Sequence, residues 1–285
     1  MTIKAFVKKA IKAILPYGIV MCIIERKKSQ NRFFKLLNTL GNSKQCYICK
    51  KTFFSFNKYR GGSSNVNSYI KNLDIVGSDI DNFGCPFCSS HDRERHLFAY
   101  FDKLNLWTKE NARILHFAPE NHIYKKFISC NLLEYIIADL EPELYINRGI
   151  KDVKKINLME IPFADNHFDI VICNHVLEHI PNMQKCLVEI YRILKNGGFA
   201  ILQTPFSKLL HKHFEDPGIT TDEQGNFFYG QEDHVRIVSE KQFLNDLQNV
   251  GFKLAIVRHK DVFDNNFAKI YGMNSKEDLI RVVKV

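Results

Sequence analysis

The sequence predicts an α/β fold: a mostly parallel sheet with helices on both faces, preceded by a small cysteine-bearing module. Three observations predict it. Short apolar runs, such as 113–117, 135–139 and 168–173, alternate with segments whose apolar residues recur at helical spacing. That alternation is the pattern of strand–helix–strand units. Two CxxC pairs, Cys46/Cys49 and Cys85/Cys88, stand together ahead of the alternating region. At 285 residues the chain accommodates one large core and a smaller module.

The chain divides into a basic arm (1–40), a cysteine module (41–91) and an α/β unit (92–285) with an insertion at 204–238. The formal charge is +9, yet nine basic side chains and one acid fall within residues 1–40, leaving only +1 for positions 41–285. The excess therefore belongs to the arm, and phosphate tracking by the body is disfavoured. In the arm, Ile3, Phe6, Val7, Ala10 and Ile14 share one helical face, with lysines elsewhere on the wheel. Such a helix suits an anionic membrane surface or a packing role equally. The apolar run 13–24 is interrupted by Pro16 and Gly18 and is too short to span a bilayer.

In the α/β unit a helix is expected over about 93–107, then a strand at 113–117 and a helix at 121–130. A second strand at 135–139 and a short third before Asn157 follow. The strand at 168–173 precedes a helix carrying Met183, Leu187, Ile190 and Leu194. Gly197 and Gly198 are expected to stop it before a strand at 199–203. Ser239 with Gln242 reads as a capping box for a helix that Gly251 ends. Strands at 252–257 and 279–285, with no helix foreseen between them, close the unit as an antiparallel pair.

Ligands of open α/β sheets sit at the carboxyl ends of the strands. Residues there are His116 to Glu120, Asp139, Asn157 with Leu158, and Asn174 with His175. An acid such as Asp139 can accept from ribose hydroxyls, although a strand-end Asp is also a common turn residue. An Asn157 oxygen can accept from adenine N6, with Leu158 packing on the ring.

The segments FDIVICNHVLEHI (168–180), ILKNGGFAIL (193–202) and IPFAD (161–165) resemble class I S-adenosylmethionine (SAM)-dependent methyltransferases. The resemblance covers about residues 110–285. It implies a Rossmann-like seven-stranded sheet with an antiparallel last strand, SAM as cofactor, Asp139 on the ribose and Asn157 near adenine. One departure is plain: the family's first loop is glycine-rich, whereas His116-Phe117-Ala118-Pro119-Glu120 contains no glycine. HFAPE (116–120) resembles a bacterial subgroup associated with surface-glycan synthesis. That subgroup also shows sequences like Pro16-Tyr17-Gly18, CPFCSS (85–90) with Arg93-Glu94-Arg95, and GQEDHVR (230–236). The likeness implies that His116, Phe117, Ala118, Pro119, Glu120, Asp139, Asn157, Leu158 and Asn174 serve the cofactor.

Four thiolates from Cys46, Cys49, Cys85 and Cys88 satisfy tetrahedral zinc, as in a zinc ribbon with 35 residues between the pairs. The rival is a dithiol switch. The other cysteines lie among apolar neighbours, so a reducing cytoplasm is the expected location, at the inner membrane surface if the arm takes its membrane-binding reading rather than its packing one. Methyl transfer to a hydroxyl often uses a base. His234 paired with Asp233 is the first candidate and His175 the second. The resemblance implies an enzyme acting on a sugar hydroxyl or glycan substituent. The alternatives are an RNA base methyltransferase with a zinc ribbon, or a catalytically silent SAM-binding module.

Overall fold

A computed structural model of the protein describes residue 39 and residues 41–285; the amphipathic arm foreseen over 1–40 otherwise lies outside the described residues. Strands β1 (Lys44–Gln45) and β2 (Thr52–Phe53) pair antiparallel, and after helix α1 (Ser68–Lys71) comes β3 (Ile75–Val76). Helix α2 (Asp92–Lys103) leads to β4 (Arg113–Phe117), α3 (Asn121–Phe127), β5 (Glu134–Asp139) and β6 (Lys154–Lys155). There follow β7 (Phe168–Cys173), α4 (Met183–Ile193), β8 (Leu194–Ile201), β9 (Phe206–Ser207) and α5 (Asp222–Phe228). The chain closes with β10 (Val238–Ser239), α6 (Glu240–Val250), β11 (Phe252–Leu254), α7 (His259–Val262), α8 (Asn265–Tyr271) and β12 (Arg281–Lys284).

Seven strands form the main sheet in the order β11-β12-β8-β7-β4-β5-β6, and only β12 runs antiparallel to its neighbours. This is the seven-stranded class I methyltransferase sheet. From β4 the chain moves outward to β5 and β6, then returns to the other side of β4 as β7. The strand order thus reverses between β4 and β7, which opens a crevice at their carboxyl ends.

Side chains alternate across each strand, so the sheet supports two cores. Leu115, Phe117, Val171 and Ala200 face α4 and α6, where Leu187, Ile190, Phe243 and Leu247 are buried. Ile114, Ile170, Ile172 and Phe199 face α2 and α3, against Leu97, Phe101, Ile123 and Phe127.

Three local expectations are corrected. Gly197 and Gly198 do not terminate α4; that helix ends at Ile193, and both glycines lie within β8. The pairing jumps from Phe168↔Leu194 to Ile170↔Phe199, so residues 195–198 bulge out. Gly197 has φ +78, and a Cβ on Gly198 would come within 2.9 Å of the Lys195 carbonyl oxygen. The second correction is at Ser239, whose hydroxyl caps α6 by accepting from the Gln242 amide, while the Gln242 side chain accepts from the amide of His213 instead. A complete capping box stands at Thr221 and Gln224. Third, α7 and α8 occupy the stretch between β11 and β12.

The long stretch between the CxxC pairs reaches the insertion. β3 pairs antiparallel with β9, and β9 pairs with β10, giving a three-stranded sheet. Arg60 donates two hydrogen bonds to the Glu232 carboxylate at 2.7 and 2.9 Å, and Tyr69 stacks on Phe227. Among the described residues no helix is long and apolar enough to cross a membrane.

Arg95 joins these parts. Its side chain is fully buried and donates to five backbone carbonyls, those of Asn82, Phe83, Ser90, Tyr271 and Gly272, at 2.6–3.1 Å. The guanidinium also lies 4.0 Å over the Phe56 ring. Replacement leaves several buried acceptors unsatisfied at about 1–3 kcal/mol each. Arg95→Met is therefore expected to lose about 3 kcal/mol or more, read as a lower urea midpoint. Arg95→Lys, with three donors in place of five, should recover only part of it. A wild-type midpoint for both variants would refute this role.

Candidate active site

The two loops beside the switch point carry the same backbone device. Ala118, just after β4, has φ +49, and His175, just after β7, has φ +54. Each is anchored by its amide: Ala118 donates to the Ala138 carbonyl at 2.9 Å, and His175 to the Gln203 carbonyl at 2.7 Å. A left-handed conformation costs a non-glycine residue about 1–2 kcal/mol. The glycine-free first loop therefore makes a left-handed turn with alanine, which keeps its side chain small where the backbone borders the cleft.

Beyond that turn, Glu120 is the N-cap residue of α3 and bears the cleft's central charge. His116 is fully buried on β4, between the Tyr135 hydroxyl (2.9 Å from Nδ1) and Glu120 (2.8 Å from Nε2). Neutral imidazole meets both demands when Nε2–H donates to the carboxylate and Nδ1 accepts from the phenol. Asn174 Nδ2 donates to the other Glu120 oxygen at 3.2 Å. Burial acts to raise the Glu120 pKa, but the His116 and Asn174 hydrogen bonds outweigh it and hold the carboxyl below its ordinary range. Glu120 is thus an anion at neutral pH, and His116 orients it from behind.

Around Glu120, a cavity is lined by Arg93, His96 and Tyr100 of α2, by Asn174, His175 and Gln203 at the strand ends, and by Glu277. Gln203 Nε2 donates to Glu277 Oε1 at 3.3 Å, and His96 lies 3.4 Å from Glu277 Oε2. His96 in turn meets the His259 ring at 2.8 Å. Burial, ahead of the neighbouring His96 charge, pulls His259 down to about 4, so that ring is neutral. His96, Gln203 and Glu277 escaped sequence reasoning because they belong to no motif and meet only through α2, β8 and the loop before β12.

The remaining cofactor candidates divide. Asp139 ends β5 and already accepts from the Tyr145 hydroxyl (2.6 Å) and the Glu141 amide (2.9 Å), yet a carboxylate offers about four lone-pair sites. Asn157 is exposed, with its oxygen turned back to the Met159 amide at 2.9 Å. Phe117 and Leu158 are buried in the core facing α4, and Pro119 is buried in the loop; these three shape the backbone rather than offer polar contacts.

The base candidates are paired differently from the expectation. Asp233 accompanies His179, not His234: its Oδ2 lies 3.2 Å from His179 Nδ1. His234 packs edge-on against His179, 4.7 Å between ring centroids. Glu178, which the EHI sequence contains but which was assigned no role, is 1% exposed at the centre of the group. Its Oε2 accepts from the Thr204 hydroxyl at 3.0 Å, and His175 Nδ1 lies 3.4 Å from Oε1. Burial opposes the Glu178 charge, but His175 and the other two histidines outweigh it and hold the carboxyl at about 2.

The four module cysteines converge. Cys46 and Cys88 sulfurs are 3.7 Å apart, and Cys49 and Cys85 sulfurs 3.8 Å apart. A tetrahedron of sulfurs about 2.3 Å from zinc has edges of about 3.8 Å. Amides of Phe87 and Cys88 point at the Cys85 sulfur, a contact that favours thiolate. Donor set and geometry fit a closed structural metal site.

Residues 108–202 match a family described as "Methyltransferase domain". The chain is 33% identical over 97 residues to a demethylmenaquinone methyltransferase of Geobacillus stearothermophilus, covering 33% of this chain and 38% of that protein. It is 54% identical over 46 residues to an uncharacterized protein of Methanocaldococcus jannaschii, covering 16% and 20% of the two chains. Across these and a sterol 4-C-methyltransferase of Caenorhabditis elegans, it spans between 19% and 38% of the relatives' length. Among solved structures, a SAM-dependent methyltransferase from Mesorhizobium loti aligns with TM-score 0.48 at 13% identity, over 65% of this chain and 98% of that one.

The Ala118 turn yields a paired expectation. Ala118→Gly should relieve the strain and change stability by no more than about 1 kcal/mol, because glycine's unfolded-state entropy offsets the gain. Ala118→Val, β-branched at positive φ, should be less stable than Ala118→Gly by at least about 1 kcal/mol. Equal urea midpoints for the two variants would contradict the assignment.

Proposed function

We propose that the protein is a SAM-dependent methyltransferase acting on a hydroxyl of a sugar or glycan. The observation that carries the reading is the ionised Glu120, held from behind by His116 and from the side by Asn174, at the switch point of a seven-stranded sheet. The amino-acid tail of SAM is a zwitterion, and this cavity offers a match: the Glu120 carboxylate for its ammonium and the Arg93 guanidinium for its carboxylate. Asp139, with lone pairs to spare, would accept from the ribose hydroxyls. The glycine-free loop is compatible with this fit because Ala118 reproduces the left-handed turn.

When bound, SAM supplies an electrophilic methyl group on a sulfonium. The chain's own residues then have three tasks. Glu120 and Arg93 fix one end of the donor, so that its reactive carbon has one position. His175, Glu178, His179 and His234 form the wall that receives the acceptor and its departing proton. The insertion 204–238, fastened to the cysteine module through β3–β9 pairing and the Arg60–Glu232 pair, contributes His234 to that wall. The near-neutral charge of positions 41–285 favours an uncharged acceptor over nucleic acid. The basic face of residues 1–40 suits a lipid-linked acceptor at the inner membrane surface, with the body in the cytoplasm. Zinc on the four thiolates is a structural part of the same reading.

Calorimetry with SAM tests the core of it. Binding is expected for the wild-type chain, and Glu120→Gln should weaken it about 10–100-fold, the range for losing a charge-assisted hydrogen bond. No binding at millimolar SAM would overturn the reading. Turnover on a panel of glycans and RNA separates the acceptor classes; methylation of RNA alone would remove the glycan assignment. Metal analysis should find one zinc per chain released by a thiol-modifying reagent, and its absence would remove zinc.

A further inference from the structure

Glu178, His179 and His234 come from two segments far apart in sequence, yet each can offer one donor atom, and these atoms all lie within 4.8 Å of one another. Two of the three side chains are also held so that a donor atom is left facing the group. His179 Nδ1 donates to the Asp233 carbonyl at 3.1 Å, with the Asp233 carboxylate 3.2 Å away, which leaves Nε2 as the ring atom turned to Glu178. That Nε2 is 3.9 Å from Glu178 Oε1, too long for a hydrogen bond but within the roughly 4.2 Å that two ligands about 2.1 Å from one ion can span. Glu178 spends Oε2 on the Thr204 hydroxyl and keeps Oε1 for the group. A carboxylate and a carbonyl behind the ligating histidine, as Asp233 supplies behind His179, is the arrangement that orients imidazoles in metal sites.

Two further observations point the same way. His175 Nδ1 is buried beside the group, 3.4 Å from Glu178 Oε1, with no hydrogen-bond partner. The framework is also locked in advance. Arg236 donates to the carbonyls of Leu177, Ile180 and Pro181, and the Val235 amide donates to the Glu178 carbonyl at 3.0 Å. The segment bearing His234 is thereby fixed against the turn bearing Glu178 and His179, which removes most of the ordering cost of assembling a site.

We propose that Glu178, His179 and His234 bind one divalent transition-metal ion at the acceptor side of the cleft, with its remaining positions open. Two imidazoles and one carboxylate, with no thiolate, suit Mn²⁺, Fe²⁺, Co²⁺ or Zn²⁺. The site stands on its own geometry; its use in catalysis rests on the methyltransferase reading, in which an acceptor with adjacent hydroxyls would chelate the ion through the open positions.

The test titrates Mn²⁺ into the full chain carrying one equivalent of zinc, which the four thiolates take first and which leaves the histidine site open, and follows free Mn²⁺ by electron paramagnetic resonance. One saturable Mn²⁺ per chain is expected. His234→Ala and His179→Ala should each weaken it at least about 100-fold, and Asp233→Ala, which removes only a carboxylate behind His179, about 10-fold. Urea midpoints within the wild-type range, together with retained SAM binding by His234→Ala, establish that the variants are folded. Absence of a saturable Mn²⁺ site in the wild type, or binding indifferent to both histidine variants, would overturn the proposal. SAM binding separates the two claims: SAM without Mn²⁺ removes only the metal, and Mn²⁺ without SAM removes only the methyltransferase reading.

Discussion

The structure depends on a buried guanidinium whose hydrogen bonds go to backbone alone. Arg95 stands in the first turn of α2, and its five carbonyl partners come from the segment leading into the second cysteine knuckle, from the end of that knuckle at Ser90, and from the C-terminal end of α8. A charge without a directly bonded carboxylate tolerates burial only where every N–H is satisfied, and here every donor direction is used. The consequence is positional. The face of α2 that carries Arg93, His96 and Tyr100 into the cleft is fixed because the adjacent Arg95 cannot rotate away.

The cysteine module is connected to the cleft by a second route. Glu94, next to Arg95, accepts from the His122 amide and from its ring Nδ1, at 2.6 and 2.9 Å. His122 sits in the first turn of α3, two residues after Glu120. Whatever fixes the knuckles and α2 therefore also fixes the start of α3, where the cleft's central carboxylate is capped. Sequence proximity of the CPFCSS and Arg93-Glu94-Arg95 segments thus has a mechanical meaning: one motif builds a rigid corner, and the other fastens two sides of the cleft to it.

Much of the fold was legible because its signals are local. β4 and β7 are apolar runs of five and six residues whose bounds agree with the sequence reading, and α4 carries an apolar stripe. The errors arose where tertiary geometry overrides local chemistry. A Gly-Gly pair after a helix reads as a stop, but the bulge in β8 needs Gly197 for its positive φ and Gly198 for close backbone approach. Ala118 was legible only as a missing glycine, since nothing in a sequence reports a positive φ at alanine. Glu277 and Gln203 were invisible for another reason: their chemistry exists only as a contact between distant segments.

The histidine pairing shows the same limit and also what the motif contained. Asp233 and His234 are neighbours in sequence, which suggests a dyad, but they follow one another through a turn that brings both against His179 rather than against each other. Asp233 turns to His179 and His234 turns to Glu178, so one short segment supplies both a group that orients one imidazole and a second imidazole beside the same carboxylate. Arg236, two residues further on, repeats the device of Arg95: a buried guanidinium bonded to backbone carbonyls, here with Glu215 on its Nε at 2.6 Å. Each arginine fixes a turn that presents charged or imidazole side chains, one beside Glu120 and one beside Glu178. Rigid turns of this kind let a small carboxylate–imidazole cluster remain assembled without a hydrophobic core of its own.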